Sequence, residues 1–250
     1  MENKDKLKNA IEYLNKNFLL NMPILEALKF GAAEVLELHD YGVVARLNHG
    51  VRSDHKEHRI MLALNSDEDL KKCVHHFDSG ALVVFYGNQD PSVIPSIVSG
   101  IERTTPCWQI VYTKKEPPNF VFDAEYKLLG QDFTDFVFEN YSRAWNKEYI
   151  QNLLKMGLMW GAFVGGKIAG FCGRHSDGSM GLLEVMPEFR RQGLAKALES
   201  FVAKIVLDEG RTPFGHVVLG NDISVKLQSN FDGMETADRF VTFMRKELKI

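Results

Sequence analysis

The second half of the chain alternates between short apolar runs and apolar residues at helical spacing. The run 182–186 (LLEVM) is followed by a proline at position 187, and it predicts a short buried strand. After the proline the pattern changes from a continuous run to helical spacing. Apolar residues now recur three or four positions apart, at Ala197, Leu198, Phe201, Val202, Ile205 and Val206. The second pattern places one apolar stripe on a helix that we expect to begin near Arg191 and to face a core.

The remaining patterns in residues 123–250 predict a single series of elements. Its order is strand, two helices, three antiparallel strands, helix, strand, helix and strand. The glycine pair at 165 and 166 predicts the tight turn of a hairpin, because glycine adopts positive φ angles without strain. The elements before the last strand are predicted at 126–129, 132–142, 147–156, 160–164, 168–173, 182–186, 191–206, 214–219 and in the helix after Asn221.

The first half of the chain shows a similar alternation of helices and strands. Helices are predicted at 4–17, at 24–30 between Pro23 and Gly31, from Ser66 onward and at 91–101. Strands are predicted at 33–38, 43–47, 58–64, 81–86 and 108–112. The alternation indicates an α/β domain over residues 1–120 and a second domain over 121–250, with the Pro117-Pro118 segment as the linker.

Composition and charge narrow the classes of function. Apolar residues make up 45% of the 250 residues and charged residues 25%, close to a globular average. The formal net charge of −3 indicates no basic field for nucleic acid, and no apolar run is long enough to span a membrane. The N-terminus lacks the apolar core of a signal peptide, so we expect a cytoplasmic protein. The oligomeric state stays open, with a homodimer among the options.

Cysteines and histidines offer little sign of a metal centre. Cys73, Cys107 and Cys172 each lie in an apolar run without metal-ligand spacing, and we expect reduced core thiols. The pairs His55-x-x-His58 and His75-His76 have no third ligand at a supporting spacing along the sequence. We therefore expect hydrogen-bonded or solvated histidines and no metal.

The start of the helix after residue 190 has the chemistry of an anion site. Gly193 and Ala195 leave the backbone of the first turn uncovered, while Arg190, Arg191 and Lys196 add positive charge. The first amides of a helix have no intrahelical partner, and the helix dipole places partial positive charge there. A diphosphate fits such an end.

The pattern Arg190-x-x-Gly193-x-Ala195, after a strand that ends Val185-x-Pro187, resembles the acyl-CoA signature of the GNAT superfamily of N-acyltransferases. The resemblance implies the mixed central sheet of the GNAT fold, an α/β (α+β) class, and acyl-CoA, most often acetyl-CoA, as co-substrate. A basic helix start in an unrelated α/β protein is the alternative. The backbone that the resemblance assigns to the coenzyme belongs to Val185, Met186, Arg190, Arg191, Gln192, Gly193, Leu194, Ala195 and Lys196.

A second segment strengthens this resemblance. Asn221-x-x-Ser224 is similar to the family segment that contacts the pantetheine arm and the adenosine-phosphate end of the coenzyme, although Asn221 alone is also an ordinary helix cap. The run 213–217 before it resembles the glycine N-acyltransferase branch. Members of that branch carry an N-terminal half of similar α/β shape that lacks the coenzyme signature, which implies a degenerate GNAT-like domain at 1–120.

The resemblance also suggests which residues carry the chemistry. Glu184 matches an acidic position of related members, and partial desolvation would suit it to act as general base; a solvated or arginine-paired carboxylate is the alternative. His216 is the second candidate for acid or base. The backbone N–H of Val185 or Met186 would stabilise the oxyanion. Gln228 stands where many members place a tyrosine, so a general acid is not supported there.

These residues lead to a hypothesis and a rival. The hypothesis is an N-acyltransferase, with an N-acetyltransferase favoured, that moves an acyl group from acyl-CoA to the primary amine of a small molecule or amino acid in a ternary complex. The rival is a regulatory or sensor protein that binds acyl-CoA without turnover. The sequence leaves the amine and the acyl length open, because specificity lies in loops.

Overall fold

The computed structural model describes residues 2–48, 59–77, 82–141, 143 and 146–246. The helices are α1 Glu2–Asn15, α2 Phe18–Lys29, α3 Leu70–Cys73, α4 Ile94–Ile97, α5 Thr134–Asn140, α6 Lys147–Lys155, α7 Leu194–Asp208 and α8 Asp222–Ser229. The strands are β1 Ala33–His39, β2 Gly42–Leu47, β3 Arg59–Leu64, β4 Leu82–Asn88, β5 Ile101–Tyr112, β6 Glu125–Leu128, β7 Met159–Val164, β8 Lys167–Arg174, β9 Met180–Val185, β10 Phe214–Val218 and β11 Met234–Lys246. In the described ranges, no helix is both long and apolar enough to cross a membrane.

The chain divides into two compact units. Unit 1 comprises Met1–Val111, His216–Gln228 and Glu235–Ile250, and unit 2 comprises Tyr112–Gly215 and Ser229–Met234. The first transition lies near the predicted linker, but two C-terminal segments return to unit 1. A functional division into residues 1–120 and 121–250 stays a prediction.

The sheet of unit 1 has a hydrophobic core on each face. Its strands run in the order β1-β2-β3-β4-β11-β5, with β3 and β4 parallel and the other registered pairs antiparallel. Val43 and Ala45 of β2 pack in the core with α1 and α2, whereas Val44 between them packs in the core with α3 and α4. Burial on both faces explains why these strands are continuous apolar runs.

Helix α2 corrects the predicted start at residue 24. The helix begins at Phe18, where the side chain of Asn17 accepts a hydrogen bond from the Leu20 amide at 3.3 Å, and Pro23 lies inside it. Proline removes one backbone hydrogen bond, and burial of Leu20 and Ile24 offsets that loss. The cap at Asn17, and not Pro23, therefore determines where α2 begins.

Two further predicted helices are shorter than expected. The segment after Ser66 forms a helix only at Leu70–Cys73, because the Ser66 hydroxyl bonds the Asp69 carboxylate at 2.7 Å instead of capping a backbone amide. Residues predicted helical at 91–101 form a 3-10 turn and the short α4, and Gly100 with a φ of +67° precedes β5. The strand predicted at 108–112 therefore extends back to Ile101.

The elements from β6 to β11 follow the predicted order along the chain. The strands around unit 2 run β10-β9-β8-β7-β6, with β9 parallel to β10 and the other neighbours antiparallel. Strand β10 is divided, since Phe214 and Gly215 belong to unit 2 and the residues from His216 onward to unit 1. The predicted hairpin of β7 and β8 turns at Gly165 and Gly166, whose φ angles are +55° and +78°. The apolar stripe of α7 packs on this sheet through Leu198 and Val202, both fully buried.

The thiol of Cys172 provides a test of this core. The described cysteines are free and buried, as predicted, and the Cys172 thiol lies 3.5 Å from the carbonyl oxygen of Gly181. Burial raises the pKa of the Cys172 thiol well above its usual value, and the nearby Glu199 adds to that effect. We expect iodoacetamide to label Cys172 at least about tenfold more slowly in the native protein than in urea, measured by mass spectrometry. Equal rates would show that β8 is not packed in a closed core.

Candidate active site

The site is built around a bulge in strand β9. Phe171 of β8 pairs with Glu184, whereas Gly173, two residues later on β8, pairs with Gly181, three residues earlier on β9. Strand β9 therefore contains one extra residue between these two pairs. The bulge includes Leu182, which is buried and has a φ of +54°. A non-glycine residue at positive φ costs free energy, and bulges are enriched next to active sites, where they redirect a strand.

The turn after β9 holds two more residues at positive φ. Residues Pro187–Phe189 form a 3-10 turn, Arg191 has a φ of +64°, and Gly193 has a φ of +94°. A residue at positive φ interrupts a right-handed helix, so α7 begins at Leu194 and not near Arg191 as predicted. Of the signature residues, Arg190 and Gly193 therefore lie in the turn that leads into the helix, and Ala195 lies in the first turn of α7.

The start of α7 is chemically open. Gly193 is the N-cap, and in the described part of the chain no side chain caps this helix. The helical hydrogen bonds begin with the Ala197 amide, which donates to the Gly193 carbonyl oxygen at 3.2 Å. The amides of Leu194, Ala195 and Lys196 precede that bond, so they are the helix-start donors that a bound anion would use.

The predicted cations differ in what they contact. Arg190 donates from Nε to the carbonyl oxygen of Val185 at 2.8 Å, so its guanidinium ties the turn back to β9. Lys196 donates to the carbonyl oxygen of Asn230 at 2.8 Å. Arg191 is exposed, and the exposed Gln192 bonds the Glu188 carbonyl oxygen at 3.0 Å. Arg191 is thus the charge best placed to respond to a ligand.

Glu184 lies on the bulged part of β9 and is paired. Its carboxylate accepts a hydrogen bond from the Arg190 guanidinium at 3.2 Å, and 17% of its side chain is exposed. This geometry matches the alternative of an arginine-paired carboxylate. The base role also stays open, because a carboxylate held by one guanidinium can still accept a proton from an amine.

The backbone amides of Val185 and Met186, the two candidate donors to the oxyanion, differ in whether they are already hydrogen-bonded. The Met186 amide donates to the carbonyl oxygen of Ala169 at 2.9 Å, so the expectation that this amide is free is wrong. Val185 pairs with Gly170, and hydrogen-bonded and non-hydrogen-bonded pairs alternate along an antiparallel ladder. The Val185 N–H consequently points away from β8, and it is the remaining candidate donor.

The other predicted residues belong to unit 1. His216 on β10 is half-buried, and its ring packs edge-on to Phe243 at 5.0 Å. Asn221 accepts from the Ser224 amide at 3.4 Å, and its amide group donates to the Ser224 hydroxyl at 2.9 Å. These bonds confirm the predicted helix cap. Contact of Asn221, Ser224 or His216 with a substrate stays a prediction.

Tyr141 is a polar residue of this site that the sequence did not indicate. It follows α5, where its amide donates to the Val137 carbonyl oxygen at 2.9 Å, and its phenol has a hydrogen bond with the backbone of Leu182 in the bulge. Burial raises the pKa of Tyr141; Arg143 opposes this rise and the charge of Glu184 adds to it. Tyr141 falls in the helix predicted at 132–142, where its spacing from Val137 indicates an apolar face, and no local pattern could show that the phenol reaches β9.

A family model matches the part of the chain that contains this geometry. Residues 155–240 match the family described as FR47-like protein. That range includes the bulge of β9, the turn after it and all of α7. No curated protein matches the chain.

Solved structures extend the similarity over nearly the whole chain. A Drosophila protein has a TM-score of 0.65 at 14% identity, covering 97% of this chain and 96% of its own. A GNAT-family acetyltransferase from Novosphingobium aromaticivorans DSM 12444 has a TM-score of 0.54 at 17% identity, covering 91% and 97%. The chain has the GNAT fold. A GCN5-related N-acetyltransferase-like protein from Streptococcus suis 89/1591 shares it, with a TM-score of 0.51 at 16% identity, covering 96% and 100%.

The GNAT fold confirms the predicted fold class and the predicted family resemblance. The matched range contains Arg190, Gly193 and Ala195, the residues that carried the resemblance. The narrower likeness to the glycine N-acyltransferase branch stays a prediction.

Proposed function

We propose that this chain is an acyl-CoA-dependent N-acyltransferase that acts on the primary amine of a small molecule or amino acid. Acetyl-CoA is the favoured donor, with a longer acyl-CoA as the alternative. The observation that carries the proposal is the junction of β9 and α7, where a bulged strand leads into a helix whose first amides are uncapped.

The residues of this junction fit the diphosphate of coenzyme A. A Cβ built on Gly193 would meet no atom within 4 Å, so the backbone is open to a ligand at that position. The amides of Leu194, Ala195 and Lys196 would hold the phosphates, and Arg191 would add charge. When bound, an acyl-CoA supplies an activated thioester carbonyl.

Glu184 would act on the amine. A protonated amine has no lone pair for attack, so a base must first accept its proton. The Glu184 carboxylate is a proton acceptor on the bulge, and Arg190 holds it in place. The Val185 N–H would stabilise the negative charge that develops on the carbonyl oxygen. His216 stays the alternative base.

Tyr141 would assist departure of the thiolate, since Gln228 has no acidic proton to give. Because its pKa is raised, its phenol stays protonated at neutral pH and can donate to a developing negative charge. We expect Tyr141→Phe to lower kcat about tenfold and to leave the KM for acetyl-CoA nearly unchanged, measured by thiol release.

A matched control for this variant is Tyr126→Phe. Tyr126 is also in unit 2 and partly buried. Its ring stacks on Phe201 with the centroids 4.7 Å apart, and its hydroxyl donates to the Phe122 carbonyl oxygen at 3.5 Å. The control should retain wild-type kcat. An equal loss of kcat in both variants would remove Tyr141 from the site.

The rival hypothesis is an acyl-CoA sensor without turnover. Two observations favour it, the glutamine at position 228 and the pairing of Glu184 with Arg190. The rival requires the same coenzyme contacts but no release of free thiol.

Two measurements separate the candidates. Titration calorimetry with acetyl-CoA tests the coenzyme site, and thiol release with a panel of primary amines and amino acids tests turnover. Binding together with release supports the transferase, and binding without release across the panel supports the sensor. If acetyl-CoA and longer acyl-CoAs produce no heat, both candidates are wrong.

A further inference from the structure

A carboxylate in unit 1 is surrounded by three imidazoles. Glu37 lies on β1, and one of its oxygens is 3.2 Å from Nε2 of His75 and 3.0 Å from Nε2 of His76. Its other oxygen is 3.0 Å from Nε2 of His39, two residues along the same strand. Strand β1 thus meets the 3-10 turn Val74–His76 in a cluster of ligand-type atoms.

We propose that Glu37, His75 and His76 form a binding site for a zinc-class transition-metal ion, with His39 beside it. One ligand atom from each of the three residues lies within 4.8 Å of the others. Ligands about 2.0–2.1 Å from a tetrahedral ion are about 3.3–3.4 Å apart. The observed separations of 3.0 and 3.2 Å between Glu37 and the two imidazoles differ from that spacing by a few tenths of an ångström.

The ligand set selects the type of ion. Two imidazole nitrogens and one carboxylate oxygen suit Zn²⁺, Ni²⁺ or Cu²⁺, whereas Ca²⁺ and Mg²⁺ prefer oxygen alone. Three protein ligands leave a fourth position that His39, water or an exchangeable ligand can take. The side chain of His75 is 58% exposed and that of Glu37 is 28% exposed, so an ion can reach the cluster from solvent.

The surroundings hold His39 near the carboxylate. The imidazole of His39 stacks on Tyr41 with ring centroids 4.6 Å apart, and the ammonium of Lys72 lies 4.2 Å from the centre of the Tyr41 ring. Lys72 is itself paired with Asp69 at 2.7 Å, which offsets its charge. His39 can therefore serve either as a fourth ligand or as the partner that orients Glu37.

Sequence spacing could not reveal this site. His75 and His76 are adjacent, but Glu37 lies 38 residues before His75 and reaches it only through the packing of unit 1. The other pair considered, His55 and His58, lies outside the described residues. The metal proposal does not depend on the proposed acyltransferase activity.

Calorimetry of the full chain with Zn²⁺, after removal of metals by a chelator, tests the proposal. We expect one ion per chain and a dissociation constant that rises at least tenfold in Glu37→Gln and in His76→Gln. Co²⁺ should give the visible absorption of a tetrahedral site, and both variants should lose it. Thermal unfolding without metal checks that the variants remain folded.

Two controls separate this site from adventitious binding. Glu34→Gln removes a carboxylate on the same strand, paired with Arg46, and His175→Gln removes a histidine that bonds Tyr149 at 2.6 Å. Both should retain wild-type Zn²⁺ affinity. Absence of stoichiometric binding, or unchanged affinity in either Glu37→Gln or His76→Gln, would overturn the three-ligand site.

Discussion

Replacement of Glu184 by glutamine is expected to lower kcat about 10³-fold while acetyl-CoA still binds. Glutamine has a similar shape but cannot accept the proton of the amine, and general bases typically contribute 10²–10⁴-fold. A thousandfold loss corresponds to about 4 kcal/mol of barrier. Thiol release measures kcat, and calorimetry measures the affinity for acetyl-CoA.

A conservative variant adds a signature that a structural defect would not produce. Glu184→Asp keeps a carboxylate and should retain more of the wild-type kcat than Glu184→Gln, although aspartate changes the length of the side chain and glutamine does not. The control is Glu188→Gln, which changes an exposed glutamate in the turn that follows β9. Wild-type rates in Glu184→Gln would transfer the base role to His216.

Because Glu184 is paired with Arg190, the Glu184→Gln variant also tests the rival hypothesis of an acyl-CoA sensor without turnover. If the wild-type protein releases no thiol with any amine, the pair has a structural role that holds the turn against β9. Glu184→Gln would then alter thermal stability and leave acetyl-CoA affinity unchanged. The same variant consequently reports on catalysis in one case and on the turn alone in the other.

Hydrophobic periodicity predicted most of the fold in the second half of the chain. The stripe of α7 and the glycine turn between β7 and β8 are local patterns, and both were confirmed. Pro23 shows the limit of such patterns, because burial of Leu20 and Ile24 allowed α2 to continue through a residue that usually interrupts helices. Periodicity indicates which face of an element is buried, but it does not show where tertiary packing allows a helix to continue through a proline.

The site was predicted in part, for a similar reason. The glycine at 193 and the charges around it are visible in sequence, but the positive φ of Leu182 and Arg191 is not, since neither residue type favours it. Tyr141 likewise gives no local signal, because its place in the site depends on a bond to β9, about 40 residues away. Contacts between distant segments have no period to detect.

Gly193→Asp is expected to weaken acetyl-CoA binding about 100-fold, or roughly 2.8 kcal/mol. Aspartate is a favourable N-cap, and it tolerates positive φ better than most residues, so the start of α7 should persist. Its carboxylate would lie beside the amides proposed to hold the diphosphate, where like charges repel. Calorimetry measures the affinity, and thermal unfolding shows whether the helix is intact.

Gly210→Asp provides the matched control at the opposite end of the same helix. Gly210 has a φ of +71°, close to the +94° of Gly193, and a Cβ at either position would meet no atom within 4 Å. Backbone strain and added charge are therefore comparable, and only the end of α7 differs. If Gly193→Asp binds acetyl-CoA as tightly as Gly210→Asp does, the phosphates do not lie at the start of α7, and the proposed coenzyme site is wrong.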